Sequence, residues 1–343
     1  MLLFYYTSSQ IRTLTTKGAV NVMSNNIYHY CSLETFNTII NNKTLRASDI
    51  TKSNDDQELK WIANSISNTI INAILNNKTL CSKYTIDNDK IRFIEEQIKN
   101  VANSVYLNNS RTMLSLACCF SETGDLLSQW RGYANDGNGI SIGFDKKILL
   151  SLNSYHFTYG FRKIEYDTKK QKEFVENNIK YIIDGYSQVE QNKITDSTFS
   201  EFLQDIMLKI GTMYNEAPEF KNECFREEKE WRICIKTFFN NIILDERYTE
   251  NPTSNIGQSE EEFNFSADLS NGIIRMPISF SVKKNRIVPY VDLYFDKIKN
   301  DLIKEIIIGP KCDVNRFDIQ MLLASNGYNY DKISISHSNC TYR

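Results

Sequence analysis

The stretch MLSLACCF, Met113–Phe120, decides how the rest of the chain is read. It is a continuous apolar run of strand length, in which Cys118 and Cys119 stand among larger hydrophobes as small buried residues do. Such a run is expected of a central strand covered on both faces. Working outward toward the C-terminus, Leu126–Arg131 has the pattern of a short helical turn, and Ala134–Gly139 is a loop rich in Asn, Asp and Gly. Ile140, Ile142 and Phe144 then alternate with Ser141 and Gly143, as on a half-buried strand. A strand is expected at 161–166, and helices near 170–189 and 197–214. In the next strand Trp231, Ile233 and Ile235 alternate with Arg232, Cys234 and Lys236. Further strands are expected at 273–280, 305–308 and 332–336, with a helix between the last two.

Upstream of the central run lie two long Asn-rich helical patterns, near 56–76 and 87–107, and a short extended piece at Thr44–Ala47. Ile27–Cys31 reads as a strand, after which Ser32 can cap a helix that carries Leu33, Phe36, Ile39 and Ile40 on one face. Strands and helices are thus interspersed without a regular βαβ rhythm. That implies an α+β fold with a mixed or antiparallel central sheet and surrounding helices. Five prolines and thirteen glycines leave no linker to divide the chain. A single domain is expected over 27–343, with a helical insertion near 168–215 and an acidic, polar loop near 246–268. Residues 1–26 lack periodicity and are expected to be an N-terminal extension, with Met23 as an alternative start to Met1.

Composition narrows the partners. The 343 residues are 41% hydrophobic and 24% charged, and 40 Lys and Arg against 42 Asp and Glu leave a formal charge of -2. A protein that holds nucleic acid through its phosphates shows a basic excess, so nucleic acid is disfavoured. The 8 cysteines contain no C-x-x-C pair, and 3 histidines do not complete a zinc set, so structural thiols in a reducing compartment are expected and no metal. No stretch approaches the ~20 apolar residues that span a bilayer. Cytoplasm is the expected location and no membrane partner is expected.

Four segments carry polar chemistry. In YHYCS, Tyr28–Ser32, His29, Tyr30 and Ser32 stand at a strand end and a helix entrance, where a polar or anionic ligand can be held. SNDDQE, Ser53–Glu58, reads as turn and cap residues, with an acidic metal site as the minor alternative. In the segment Cys119–Asp145, Trp130 and Tyr133 lie three apart, so on a helical turn they share a face and with Arg131 can frame a flat ligand. The same aromatics can equally be core residues. In FREEKEWRICI, Phe225–Ile235, a strand reaching back to Glu228 would put Glu228, Glu230 and Arg232 on one face. Paired carboxylates of this kind can have divided roles, one ionised and one with a raised pKa; a solvated Glu–Arg ladder is the plainer alternative.

Taken in order, YHYCSLETFNTIINNKTLRAS, SNDDQEL, CFSE, QWRGYANDGNGISIGFD, EEKEWRI, EIIIGPKCD and SNCTYR resemble a bacterial family known as domain of unknown function 2971, over residues 27–343. More distantly, YHYCSLETFNTIINNKTL resembles the opening of ADP-ribosyltransferases with a His–Tyr–Glu type site, and Glu228-Lys229-Glu230 before the Trp231 strand resembles their E-x-E element. That resemblance implies an ADP-ribosyltransferase-like fold and NAD as substrate. It implies that His29 binds NAD, Tyr133 stacks on nicotinamide and Glu230 stabilises the ribosyl cation, with a macromolecular target or water as acceptor. The implied activity is ADP-ribosyl transfer or NAD hydrolysis, of the kind used by phage-defence or toxin effectors. Two other readings stay open. One is a non-catalytic nucleotide- or protein-binding module that uses the same aromatic and arginine residues. The other is a metal-dependent nuclease built on Asp55, Asp56, Glu58, Glu228 and Glu230.

Overall fold

The structure is a computed structural model that describes residues 25–52, 58–102, 113–151, 159–214, 216–238, 278–283 and 285–342. The polar loop 246–268, the extension 1–24 and residues 53–57 lie outside the described residues, as does most of the strand expected at 273–280.

The sheet is organised around the central apolar run, which forms β3 (Met113–Ser121). Along one edge β3 pairs antiparallel with β6 (Glu230–Phe238) from Met113↔Phe238 to Ser121↔Glu230. Its other edge is shared by two strands that do not pair with each other. β1 (Asn26–Cys31) meets it at Tyr28↔Ser121, and β2 (Thr44–Asp49) meets it at Ser48↔Ala117 and Asp49↔Leu116. The sheet therefore parts into two wings. From β1 one wing continues through β4 (Ile140–Asp145), β9 (Ile303–Ile308) and β10 (Ser334–His337); from β2 the other continues through β8 (Arg286–Tyr294) and β7 (Ser279–Lys283). β5 (Tyr159–Lys163) pairs with β6 on the far side. Among the described strands only β9 and β10 pair in parallel within this 10-stranded sheet, so the α+β fold with a mixed, mostly antiparallel sheet is the one observed.

Local chemistry explains the elements. Ser32 caps α1 (Leu33–Asn42) by accepting from the Thr35 N–H at 3.2 Å, Lys43 ends it in a left-handed turn, and Phe36, Ile39 and Ile40 face the core. Five helices gather around a second apolar core that includes Ile66, Ile70, Ile94, Ile179, Phe202 and Ile206. They are α2 (Glu58–Asn76), α3 (Lys78–Lys83), α4 (Asn88–Ala102), α7 (Thr168–Gln188) and α8 (Asp196–Tyr214). Between them in sequence lie α5 (Leu127–Tyr133) and α6 (Lys146–Ser151), and α9 (Lys299–Leu302) and α10 (Arg316–Ser325) follow near the C-terminus.

Two expectations need correction. β4 is buried on both faces, because Tyr28, on neighbouring β1, lies over Gly143 and Ser141 is wholly enclosed. The alternation of Ile with Ser and Gly there reflects the space available, not exposure. β8 was not expected, since Pro289 argues against an interior strand. The proline is tolerated because its pairing with β2 stops at Tyr290, leaving only β7 beside it.

The glycines of GNG, residues 137–139, serve close backbone approach. Gly309 donates to the Gly139 carbonyl at 3.0 Å, and a Cβ on Gly139 would strike the Cys31 and Ala134 carbonyls. Gly139→Ala is expected to lower stability by about 3 kcal/mol, since backbone cannot give way. Gly132→Ala, in α5 with open space around it, is expected to be neutral or stabilising by up to about 1 kcal/mol. Thermal melts of the two variants check this, and equal melting points would count against the packing described.

Candidate functional site

The floor of the site is a group of four buried charges. Asn222 caps a 3-10 turn, Glu223–Glu228, by accepting from the Cys224 N–H at 2.9 Å. Lys229 follows in the left-handed region, φ 45° and ψ 49°, and β6 starts only at Glu230. The strand thus does not extend back to Glu228, which corrects the shared face expected for Glu228, Glu230 and Arg232. Glu230 and Arg232 do share a face; Glu228 joins them because the left-handed Lys229 turns it inward. The Ser121 hydroxyl donates to the Glu228 carbonyl at 2.7 Å, and the Glu230 N–H donates to the Tyr166 hydroxyl at 3.0 Å.

Arg232 grips Glu230 with Nε on Oε1 at 2.7 Å and a second nitrogen on Oε2 at 3.0 Å, and it also donates to the Pro218 carbonyl. Lys221 donates to Glu228 Oε2 at 2.6 Å and to Glu230 Oε2 at 3.0 Å. All four side chains are buried, so this is no solvated ladder. Burial pushes the Glu228 carboxyl up, and its part of Lys221 does not offset that. Burial acts the same way on Glu230, but there Arg232 and Lys221 together win and hold it down at about 2. Two neighbouring carboxyls are thereby driven apart in acidity.

Above this floor opens a cleft. Its walls are Tyr28, His29 and Tyr30 from β1, Cys119 and Phe120 from β3, and Gln129 and Tyr133 from α5, with Glu228 and Glu230 beneath. The space between them is shallow and opens to solvent on one side. The His29 Nδ1 lies 2.8 Å from the Cys119 carbonyl. A carbonyl only accepts, so that nitrogen carries a proton. Tyr133, half-exposed, donates its hydroxyl to Glu228 Oε1 at 3.1 Å. Cys119 is exposed at the cleft, which corrects the buried residue expected there, while desolvation and then the Glu230 charge raise its thiol above the ordinary range. It is therefore no ready nucleophile.

His29, Tyr133, Glu228 and Glu230 are thus brought together, while other expected residues have different surroundings. Trp130 and Tyr133 do not share a face, because α5 packs Trp130 into the interior with its indole N–H on Asp125 at 2.7 Å. Trp130 also meets Tyr30 edge-on at 4.9 Å. Gln129 and Tyr133, four apart, are the pair that looks into the cleft. The Tyr30 hydroxyl is held by the Thr123 carbonyl and the Leu126 N–H. Ser32 is occupied as the cap of α1, Arg131 is exposed near the Tyr342 ring, and Arg232 serves Glu230. Asp55 and Asp56 lie outside the described residues. Missed by sequence reasoning were Lys221, which reaches the site from an irregular link, and Gln129, whose i,i+4 spacing to Tyr133 on α5 is the signal that could have found it. Asp125 anchors the approach to α5 from the C-terminal end of the chain, accepting from the Ser338 hydroxyl and from the Asn339 N–H at 2.7 Å.

The two carboxyls give stability opposite pH dependences. Glu228, with a raised folded value, binds its proton more tightly when folded, so stability rises as pH falls through that value toward the unfolded one. Glu230, with a depressed folded value, contributes stability above its unfolded value of about 4.3. That contribution is lost as pH falls from there toward about 2. Urea melts from neutral pH downward should show a shallow gain followed by a loss, and Glu230→Gln should remove the loss. Lys221→Met is expected to cost about 3 kcal/mol or more at pH 7, because it leaves a buried carboxylate without its partner, and to regain part of that on acidification. A Lys221→Met protein as stable as the wild type would contradict the arrangement.

None of the curated proteins and none of the solved structures matches the chain. A family model does, over residues 129–233, from Gln129 through the floor of the cleft to Ile233. His29 lies outside that match. That family is described as protein of unknown function (DUF2971), and the matched stretch, which carries Tyr133, Lys221, Glu228, Glu230 and Arg232, is similar to it.

Proposed function

We propose that the cleft takes NAD and breaks its N-glycosidic bond, passing ADP-ribose to a macromolecular acceptor or to water. The observation that carries this reading is the meeting of His29, Tyr133 and Glu230 in one cleft, from segments some 200 residues apart. The chemistry is coherent with those groups. As the bond between ribose C1′ and the pyridinium nitrogen breaks, its electron pair neutralises the ring and positive charge moves onto the ribose. Glu230, kept ionised by Arg232 and Lys221, is a fixed negative charge beneath that position. His29, its ring oriented by the Cys119 carbonyl, stands in the cleft wall where a ribose hydroxyl would lie. Glu228, with its raised carboxyl, can take the proton that the incoming nucleophile sheds.

A second reading, the non-catalytic binding module, is favoured by one fact: both Glu230 oxygens already accept from Arg232 and Lys221. The nuclease reading loses ground for the same reason. Glu228 and Glu230 have cations of the chain where it requires a metal, and among the described residues no His, Cys, Asp and Glu cluster could hold one.

Nicotinamide release from NAD by the wild-type chain is expected to fall about 100-fold or more in Glu230→Gln and strongly in His29→Ala. Tight NAD binding that is unchanged in Glu230→Gln, with no release by the wild type, would point to the binding module. The absence of both NAD binding and nicotinamide release would sink the NAD reading.

A further inference from the structure

Gln129 is the polar side chain of the cleft to which the reaction above gives no task. It is 7% exposed and lines the cleft, yet its carboxamide makes no hydrogen bond to any described residue. An amide that lines a cleft and bonds to no described residue leaves a donor and an acceptor for what enters the cleft. No neighbouring wall supplies a partner. The Tyr30 hydroxyl is taken by Thr123 and Leu126, the Tyr133 hydroxyl by Glu228, and the two carboxylates by Lys221 and Arg232. Gln129 sits one helical turn before Tyr133 on the cleft side of α5, so a flat ring lying along Tyr133 has its edge within reach of the amide.

An amide offers a donor and an acceptor side by side in one plane. Its complement is a group with the same two functions in reverse order, and a primary carboxamide is the simplest such group. We infer that Gln129 reads the carboxamide of a nicotinamide-type ring, donating from Nε2 to the ligand carbonyl and accepting at Oε1 from the ligand NH₂. The inference rests on the NAD reading and adds to it the part of the dinucleotide that is recognised and the direction in which it enters. The ring that must sit over Glu230 is the one that leaves, so the carboxamide end is inside and the adenine end outside. A carboxylate in place of the carboxamide keeps one hydrogen bond and sets an oxygen lone pair against Oε1. Sites built to bond such a group reject the analogue that lacks it.

The test is binding of nicotinamide mononucleotide, nicotinic acid mononucleotide and AMP to the full chain, by calorimetry. Gln129→Met, which keeps the volume, and Gln129→Ala are measured beside the wild type, with melting curves for each. The expected result is a roughly tenfold preference for the carboxamide over the acid in the wild type, falling to about one in both variants. Preference that survives in both variants overturns the role of Gln129, and leaves the NAD reading standing if nicotinamide release persists. Binding of AMP in preference to either pyridine nucleotide, lost in the variants, also overturns it, since the amide would then face adenine. Failure of all three ligands and of NAD overturns the inference together with the reading beneath it.

Discussion

Lys221, Glu228, Glu230 and Arg232 are buried together beneath the cleft, and its floor depends on them. Each charge alone would be expelled from such a place, because desolvation of a lone ion costs several kcal/mol. Together they are neutral and hydrogen-bonded to one another at 2.6–3.0 Å. The cost of holding them includes a lysine, Lys229, in a left-handed conformation that suits glycine better. Replacing such a buried cluster by apolar residues is often neutral or stabilising, so stability alone does not account for it.

The cleft itself comes from the division of the sheet. Because β1 touches β3 only at Tyr28↔Ser121, the strands separate immediately beyond, and His29 is left beside the Cys119 carbonyl with space in front of it. A continuous β1–β3 ladder would have placed a neighbour there. β6, in contrast, runs along β3 without a break and delivers Glu230 to the same end of the strand, opposite Ser121. One well-paired edge and one interrupted edge are enough to create a pocket with a rigid floor.

Much of this was legible in the residues. The central position of Met113–Phe120, the strand after Glu230 and the cap at Ser32 are local signals, and apolar periodicity with cap chemistry is local information. The convergence of His29 with Glu230 was legible only through resemblance, since no periodicity links residues so far apart. The failures have physical causes. Trp130 and Tyr133 were paired by an i,i+3 rule that a short helix between core and cleft does not obey on both sides. β8 was hidden by Pro289, whose penalty vanishes where the β2 ladder ends. Lys221 carries meaning only through what surrounds it, and a sequence does not display surroundings.

The brace at Asp125 has a bearing on how the molecule comes into being. That carboxylate ties the start of α5 to Ser338 and Asn339, while the cleft also needs β1 near the N-terminal side and β6 more than 100 residues beyond β3. Contacts so distant in sequence close late and slowly, after nearer ones have formed. The helices α2–α4 can collapse early on local contacts, but residues 29, 129 and 230 meet only when the chain through Asn339 is in place. A nascent or clipped chain would therefore hold the parts of the site without the site, and competence at the cleft would report on completed folding.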